Sequence, residues 1–438
     1  MQIKKDSTFS LDLFPGDTLL SNTGFLNLWF AQILTQVGVK LFDFVLAIQI
    51  YKQTGSNASV SYLILAYGLP AVLFSSWAGV LIDRWRKKTT LVFISLLRFS
   101  LILLFIPLHS NFFFILLFAF LLSLVSQFFI PLEAVLIPRL VEKKHLITAN
   151  SFFTLTLYSS AVVGFMGAGP LLKSVGDLGS FVFIASLFLV AGFLGLLLPL
   201  SSNKKVSIFS SRHKNLFIDK PWNSIKQGLK IVSKDPALKL GILLMGVSQI
   251  MVAMFMSLTP GLTTRVLGLV PEDASVYLIG PAAFGMVLGA ALISRIGGFL
   301  TRKRLVKIGL LGSSLTFLGF SLLPEVRYFS IEEHLTLLNY SVTLIVGIGI
   351  ALSVLAGFFN SFVSISCNTS LQSRVSFKNR GKVFGFLQSI VAVSGALPIL
   401  LSGILADRVG VTNVFGYLSL LIIIVFISTY KLLNIQWR

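Results

Sequence analysis

Four ionisable side chains lie inside stretches of sequence apolar enough to sit in lipid: Lys40, Asp43, Arg98 and Glu133. A charge at the centre of a membrane helix costs roughly 2.5–3.5 kcal/mol or more, so such residues are paired, neutralised or turned to water, and they mark pathways for ions and protons. Lys40 and Asp43 share a helix face with Gln32 and Gln36. The spacing i, i+4, i+8, i+11 confines the four to an arc of roughly 80° at 100° per residue. That stripe cannot face lipid. Asp43 either exchanges a proton during a working cycle or stands ionised as the partner of Lys40, depending on how tightly the two are held. Arg98 and Glu133 form a second candidate pair, structural or gating. In the alternative, Arg98 snorkels to the headgroups of the near face. Glu133 lies only about 6 Å from the end of its span at 1.5 Å rise per residue.

Uncharged polar groups recur on other spans at helical spacing. Met245, Gln249 and Met256 share one face, and thioethers adapt to irregular apolar ligands. Asn360 and Ser364 share another, with Ser353 and Cys367, while Ser123 and Gln127 lie on a fourth segment. Helix–helix hydrogen bonding explains each pair singly. Taken together they read as the walls of a substrate cavity.

The elements that must position these groups are membrane helices. The chain has 438 residues, is 55% hydrophobic and only 12% charged, about half the charge fraction of a soluble protein. A span needs roughly 20 apolar residues. Twelve candidates appear: residues 26–51, 61–82, 89–107, 112–137, 151–172, 180–200, 238–264, 275–296, 305–324, 341–368, 383–405 and 414–433. Residues 1–22 form a polar segment without a cleavable apolar core, so the first span is expected to be retained. The fold class is all-α integral membrane, organised as residues 23–200, a linker over 201–237, and residues 238–438.

A net charge of +20 suggests nucleic acid in a soluble protein, but its distribution here does not. Of the 36 lysines and arginines, only Lys52, Lys173, Arg265, Arg327 and Arg408 fall on the side opposite the N-terminus, and Lys40 and Arg98 lie within spans. The bias places both termini in the cytoplasm, and the basic face favours anionic lipid headgroups. The linker is basic, and Trp222, Ile225, Leu229 and Val232 give its segment 221–234 the spacing of an amphipathic surface helix. A lone Cys367 excludes a disulfide framework. His109, His145, His213 and His334 lie in loops or at span ends, and no GxxxxGK[ST] loop is present. No metal and no cofactor is expected. A shift of 234 residues lays Gly169 on Gly403, Gly176 on Gly410 and Phe181 on Phe415, a faint repeat of six spans.

The loop between spans two and three, Gly79–Leu91, reads GVLIDRWRKKTTL. Gly79, Leu81, Asp83, Arg84, Lys87, Lys88 and Leu91 match the signature loop of the major facilitator superfamily, which this chain resembles; Arg86 replaces that signature's second glycine. The resemblance implies a twelve-helix transporter fold in which Gly79, Asp83, Arg84, Lys87 and Lys88 help hold an inner gate. It also implies that spans one, four, seven and ten line the cavity. Residues 27–38 (NLWFAQILTQVG), 41–56, 137–151 and 403–410 (GILADRVG) resemble the macrolide-efflux and siderophore-exporter branch. Asp407 and Arg408 repeat the Asp–Arg pair at the opposite face and are an outer-gate candidate. Gly164, Gly167, Gly169 and Pro170 are similar to the superfamily's antiporter motif, though Leu171 and Leu172 stand where its paired glycines belong. These observations lead to a monomeric secondary transporter that exports an amphipathic organic small molecule, driven by protons. An uncoupled uniporter or lysolipid flippase of the same fold is the alternative. A membrane enzyme lacks its cluster of reactive side chains.

Overall fold

The structure, a computed structural model, describes residues 19–142, 145–199, 229–296, 301–332, 338–374 and 396–436. Among them there is no strand, and ten helical stretches are long and apolar enough to cross a bilayer. In chain order the helices are α1 (Thr23–Thr54), α2 (Asn57–Arg84), α3 (Lys87–Phe105), α4 (Phe112–Ser126), α5 (Phe129–Leu140), α6 (Leu146–Leu196), α7 (Pro236–Arg265), α8 (Gly280–Ile296), α9 (Arg302–Glu332), α10 (Leu338–Arg374), α11 (396–409) and α12 (Val411–Gln436).

Helix α6 accounts for spans five and six. As a straight rod its 51 residues would be about 75 Å long, far beyond a hydrocarbon core of about 30 Å. The chain reverses at Gly176, whose φ of 68° is open to glycine at no steric cost. Gly164 before that turn packs on the backbone of Val37 and Leu41, and Phe188 after it packs on Gly38. Both arms therefore lie against α1 at the same depth. Gly410, which the 234-residue shift lays on Gly176, also has positive φ (95°) and turns α11 into α12. With that turn, and with α11 as the described part of span eleven, the ten stretches are consistent with twelve crossings.

Two expected spans are interrupted. Span four is split into α4 and α5 at Gln127 and Phe128, where Gln127 Nε2 donates to the Ser123 carbonyl within its own helix. Span eight opens with a π-helical turn, Ser275–Ile279. Of the amphipathic linker segment, 229–234 is helical, with Val232 buried and Leu229 exposed; 221–228 lie outside the described residues.

Helix ends are fixed by local chemistry. The Asn22 side chain accepts from Phe25 N–H, Asp235 accepts from Ala237 and Leu238, and Gly55 (φ 61°) closes α1. Helices pack closely through glycine: a Cβ on Gly285 would come within 1.9 Å of the Val354 carbonyl, and one on Gly357 within 1.8 Å of the Ala282 carbonyl, joining α8 to α10. Buried hydroxyls return to carbonyls one turn back, as Thr259 does to Phe255 and Ser353 to Gly349. Large apolar side chains remain exposed on the outside of the bundle, Phe93, Leu315 and Ile424 among them. Lipid is the solvent that satisfies such a surface.

Candidate functional site

Lys40 and Asp43 on α1 form an ion pair, Nζ to Oδ2 3.7 Å. Neither side chain is fully buried. The Lys40 ammonium also stands over the ring of Phe165 on α6, 5.6 Å from its centroid. Asp43 lines a small cavity with Phe44, Ala47, Val60, Ile64, Tyr67, Phe165 and Met256. Its walls thus come from α1, α2 and α6 on one side and from α7 on the other, at the seam between the halves. Tyr67 and Phe165 were not among the residues expected there, because an isolated aromatic in an apolar span gives no polar signal.

Other expected cavity residues are placed less simply. Gln32 turns toward α6, where Nε2 donates to the Phe153 carbonyl (3.2 Å) and Oε1 is buried without a partner. Its neighbour Trp29 likewise bonds Thr156. Gln36 is half-buried, as are Met245 and Gln249. Asn360 Oδ1 accepts from Ser248 Oγ (2.8 Å), and Ser364 Oγ lies 3.9 Å from Met245 Sδ, so these residues join α7 to α10. The arc that groups Gln32 with Asp43 is shared between a helix interface and the seam, because α6 covers the α1 face at Gln32.

Arg98 is fully buried, which rules out snorkelling here. Its guanidinium lies between the faces of Phe129 (4.9 Å) and Phe188 (5.6 Å), with Nε and Nη1 unpartnered. Glu133 is buried with Oε1 unpartnered. The two do not come within ion-pair distance, although they are near enough for their charges to attract.

At the end of the bundle carrying the Gly55 turn, the two halves are joined by a polar network. The Asp407 carboxylate accepts from Ser56 Oγ (2.5 Å), Asn57 N (3.0 Å), Asn57 Nδ2 (3.1 Å) and Ala58 N (3.1 Å), and Arg265 reaches it at 3.4 Å. Ser56 is the N-cap of α2, so a carboxylate from α11 caps a helix in the other half. Its charge sits where the free N–H groups and the helix dipole favour an anion. Desolvation raises the Asp407 carboxyl, but these hydrogen bonds together outweigh it and hold it below the usual carboxylate range. Arg408 is exposed and takes no part in these bonds; Arg265 supplies the cation instead. Lys52 pairs with Glu272 (2.5 Å) and Lys173 with Asp273, again across the halves. Beneath them Tyr51 meets Thr264 (2.8 Å) and Ser61 meets Ser257 (2.7 Å). The few cations on this side of the sequence were the available signal: Lys52, Lys173 and Arg265 all meet acids that follow or face a turn.

At the opposite end, Gly79, Asp83 and Arg84 belong to the last turns of α2, and the side chains of Asp83 and Arg84 lie outside those described. Lys87 donates to the carbonyls of Ile82 and Trp85, closing the C-terminus of α2. Lys88 donates to the Leu198 carbonyl at the end of span six (2.7 Å). All three bonds stay within the first half. Trp85 stacks on Phe128.

A bundle of this kind, with a charged pair at the seam of two halves and a polar network at one end, is a multi-pass membrane transport architecture. The Major Facilitator Superfamily profile matches residues 28–353, and the chain belongs to that superfamily. It is 23% identical over 409 residues to macrolide efflux protein A of Streptococcus pyogenes, covering 91% of this chain and 93% of that protein. It is 24% identical over 415 residues to the uncharacterized MFS-type transporter YfiS of Bacillus subtilis (strain 168), covering 93% and 92%. Among solved structures it resembles a bacterial homologue of the human lysosomal transporter Spinster in an inward-facing, unoccupied conformation. That match has a TM-score of 0.72 at 15% identity and covers 95% of this chain and 99% of the other. Nucleoside transporter NupG is similar with a TM-score of 0.66 at 15% identity, covering 93% and 98%.

Proposed function

We propose that this transporter exports amphipathic organic compounds of the drug, macrolide or siderophore type, by alternating access coupled to inward proton flow. The carrying observation is the Lys40–Asp43 pair: an acid on α1, loosely held, in a cavity whose walls belong to both halves. Asp43 takes a proton when it faces outside and releases it when it faces inside, and substrate competes for the ionised form. The Asp407 network holds the outer gate shut in the state described, while Asp83 and its basic neighbours serve the inner gate when the seam opens outward. The charge bias supports a cytoplasmic location for both termini and for the Lys87–Lys88 end. The relation to a macrolide efflux protein supports export as the direction.

The test is purified protein in proteoliposomes with an imposed pH gradient, screened against macrolides, siderophores and lipophilic dyes. Wild type is expected to concentrate at least one class against its gradient only when the pH gradient is present. Asp43→Asn is expected to bind the same compound yet lose uphill transport. Uphill transport by Asp43→Asn that still follows the pH gradient removes Asp43 as the proton site. Equilibration with no response to pH points to an uncoupled facilitator.

A further inference from the structure

The ion pair at the seam differs from the pairs at the Gly55 end. Lys52–Glu272 is a close contact, whereas Lys40 and Asp43 stand 3.7 Å apart, longer than a good hydrogen bond. The ammonium keeps a partly exposed position over the Phe165 ring, and Phe165 is held edge-on by Phe44 (centroids 6.0 Å apart). Span five presses on the lysine stem, since a Cβ on Gly164 would come within 2.5 Å of Lys40 Cβ. Carboxylate, ring face and the Met256 thioether together make a cavity that suits a cation with apolar substituents. The Lys40 ammonium holds the cationic position beside that cavity, over the Phe165 ring and 3.7 Å from Asp43.

We infer that Lys40 is a tethered occupant of a cation site built by Asp43 and Phe165, and that the transported compound is an amphipathic organic cation whose charged group displaces it. This rests on the reading of the seam as the substrate site. Displacement frees the Lys40 ammonium from Asp43 and sets the incoming cation against Met256 of the second half, so occupancy is reported to both halves at once. An anionic substrate has the opposite requirement: it would pair with Lys40 and be repelled by Asp43.

The probes are tetraphenylphosphonium and tetraphenylborate, ions of nearly the same shape and opposite charge. Binding is measured by equilibrium dialysis on purified protein in detergent, with empty micelles subtracted. Wild type is expected to bind the phosphonium and not the borate. Lys40→Met removes both the competitor and a like charge, and is expected to tighten phosphonium binding by about tenfold. Lys40→Arg keeps a tethered cation and is expected to show no such gain. Asp43→Asn is expected to weaken phosphonium binding several-fold without abolishing it, because the Phe165 ring and the Met256 thioether remain. Phosphonium affinity that is unchanged or weaker in Lys40→Met overturns the inference, as does borate binding that depends on Lys40. Should Lys40→Met not fold, Phe165→Leu decides with both charges in place: several-fold weaker phosphonium binding supports the site, and equal binding of both ions by wild type overturns it. Binding needs neither coupling nor direction. Cation binding without uphill transport therefore sinks the export reading alone, and uphill transport of neutral compounds without this binding sinks the inference alone.

Discussion

The 234-residue repeat places two junctions side by side at the Gly55 end. In one, Gly169 of span five packs on the start of span eight, where a Cβ would come within 2.1 Å of both the Glu272 carbonyl and Ser275 Oγ. In the other, Gly403 of α11 packs on the start of α2, where a Cβ would meet Ser61 Oγ at 2.3 Å and the Asn57 carbonyl at 2.8 Å. The backbones approach in the same way. The side chains four residues on do not: the repeat lays Lys173 on Asp407. Lys173 makes one exposed ion pair with Asp273, while Asp407 receives a set of hydrogen bonds at a helix N-terminus. A solvated pair between long side chains contributes little; a carboxylate cap satisfies N–H groups that have no partner inside their own helix. The same fold therefore holds its halves together by a weak clasp on one side and a stronger one on the other. Opening is expected to be governed by the α11–α2 junction.

Labelling of a buried reporter with a water-soluble maleimide can break or sharpen this comparison. Ser257→Cys sits beneath the network, and the native Cys367 is removed as Cys367→Ser. The largest effect is expected from Gly403→Val, because overpacking a close backbone contact costs about 1–3 kcal/mol. The reporter should become reactive and the melting temperature should fall. Gly169→Val should act in the same direction, and a silent Gly403→Val would remove close packing as the basis of closure.

Asp407→Asn comes next. Loss of the charged cap is expected to cost the closed state about 1–2 kcal/mol, raising the labelling rate about five- to thirtyfold. Lys173→Ala should change it by less than about threefold. Equal effects at the two positions would show that the caps do not differ in strength. Acidification gives a graded version of the same test. The Asp407 carboxyl is held below its usual range, so its contribution to closure is present above about pH 4 and is lost as pH falls through the lowered value. Reporter labelling with Asp407 intact, divided at each pH by the rate of a free thiol because the thiolate fraction falls with pH, should rise over that window, and labelling of Asp407→Asn should not follow it. The smallest effect is expected from Arg408→Ala, which should leave labelling unchanged within error because Arg265 supplies the cation. A rise there would return Arg408 to the latch.

Much of this was legible in the residues. Apolar run lengths gave the membrane stretches seen among the described residues, since a helix must bury its length in hydrocarbon whatever its neighbours are. The turn at Gly176 and its counterpart at Gly410 lay on one repeat and share a left-handed backbone. The pairing of Lys40 with Asp43 followed from helical spacing alone. Gln32 was less legible: its place on the polar stripe was readable, but which neighbour covers that face was not. Nor did sequence reveal the aromatic cage of Arg98, because Phe129 and Phe188 stand on other helices and no spacing within one segment links them to it.

The sequence by itself determined the membrane class and the Lys40–Asp43 pair, because those depend on hydropathy and on a separation of three residues along one helix. The tertiary structure alone decided that Asp407 caps α2, that Arg265 replaces Arg408 as its partner, and that Tyr67, Phe165 and Met256 surround Asp43. Each of those contacts joins residues from tens to hundreds of positions apart on different helices. Their geometry is set by how glycine-lined helix faces pack, and no periodicity within a single segment records it.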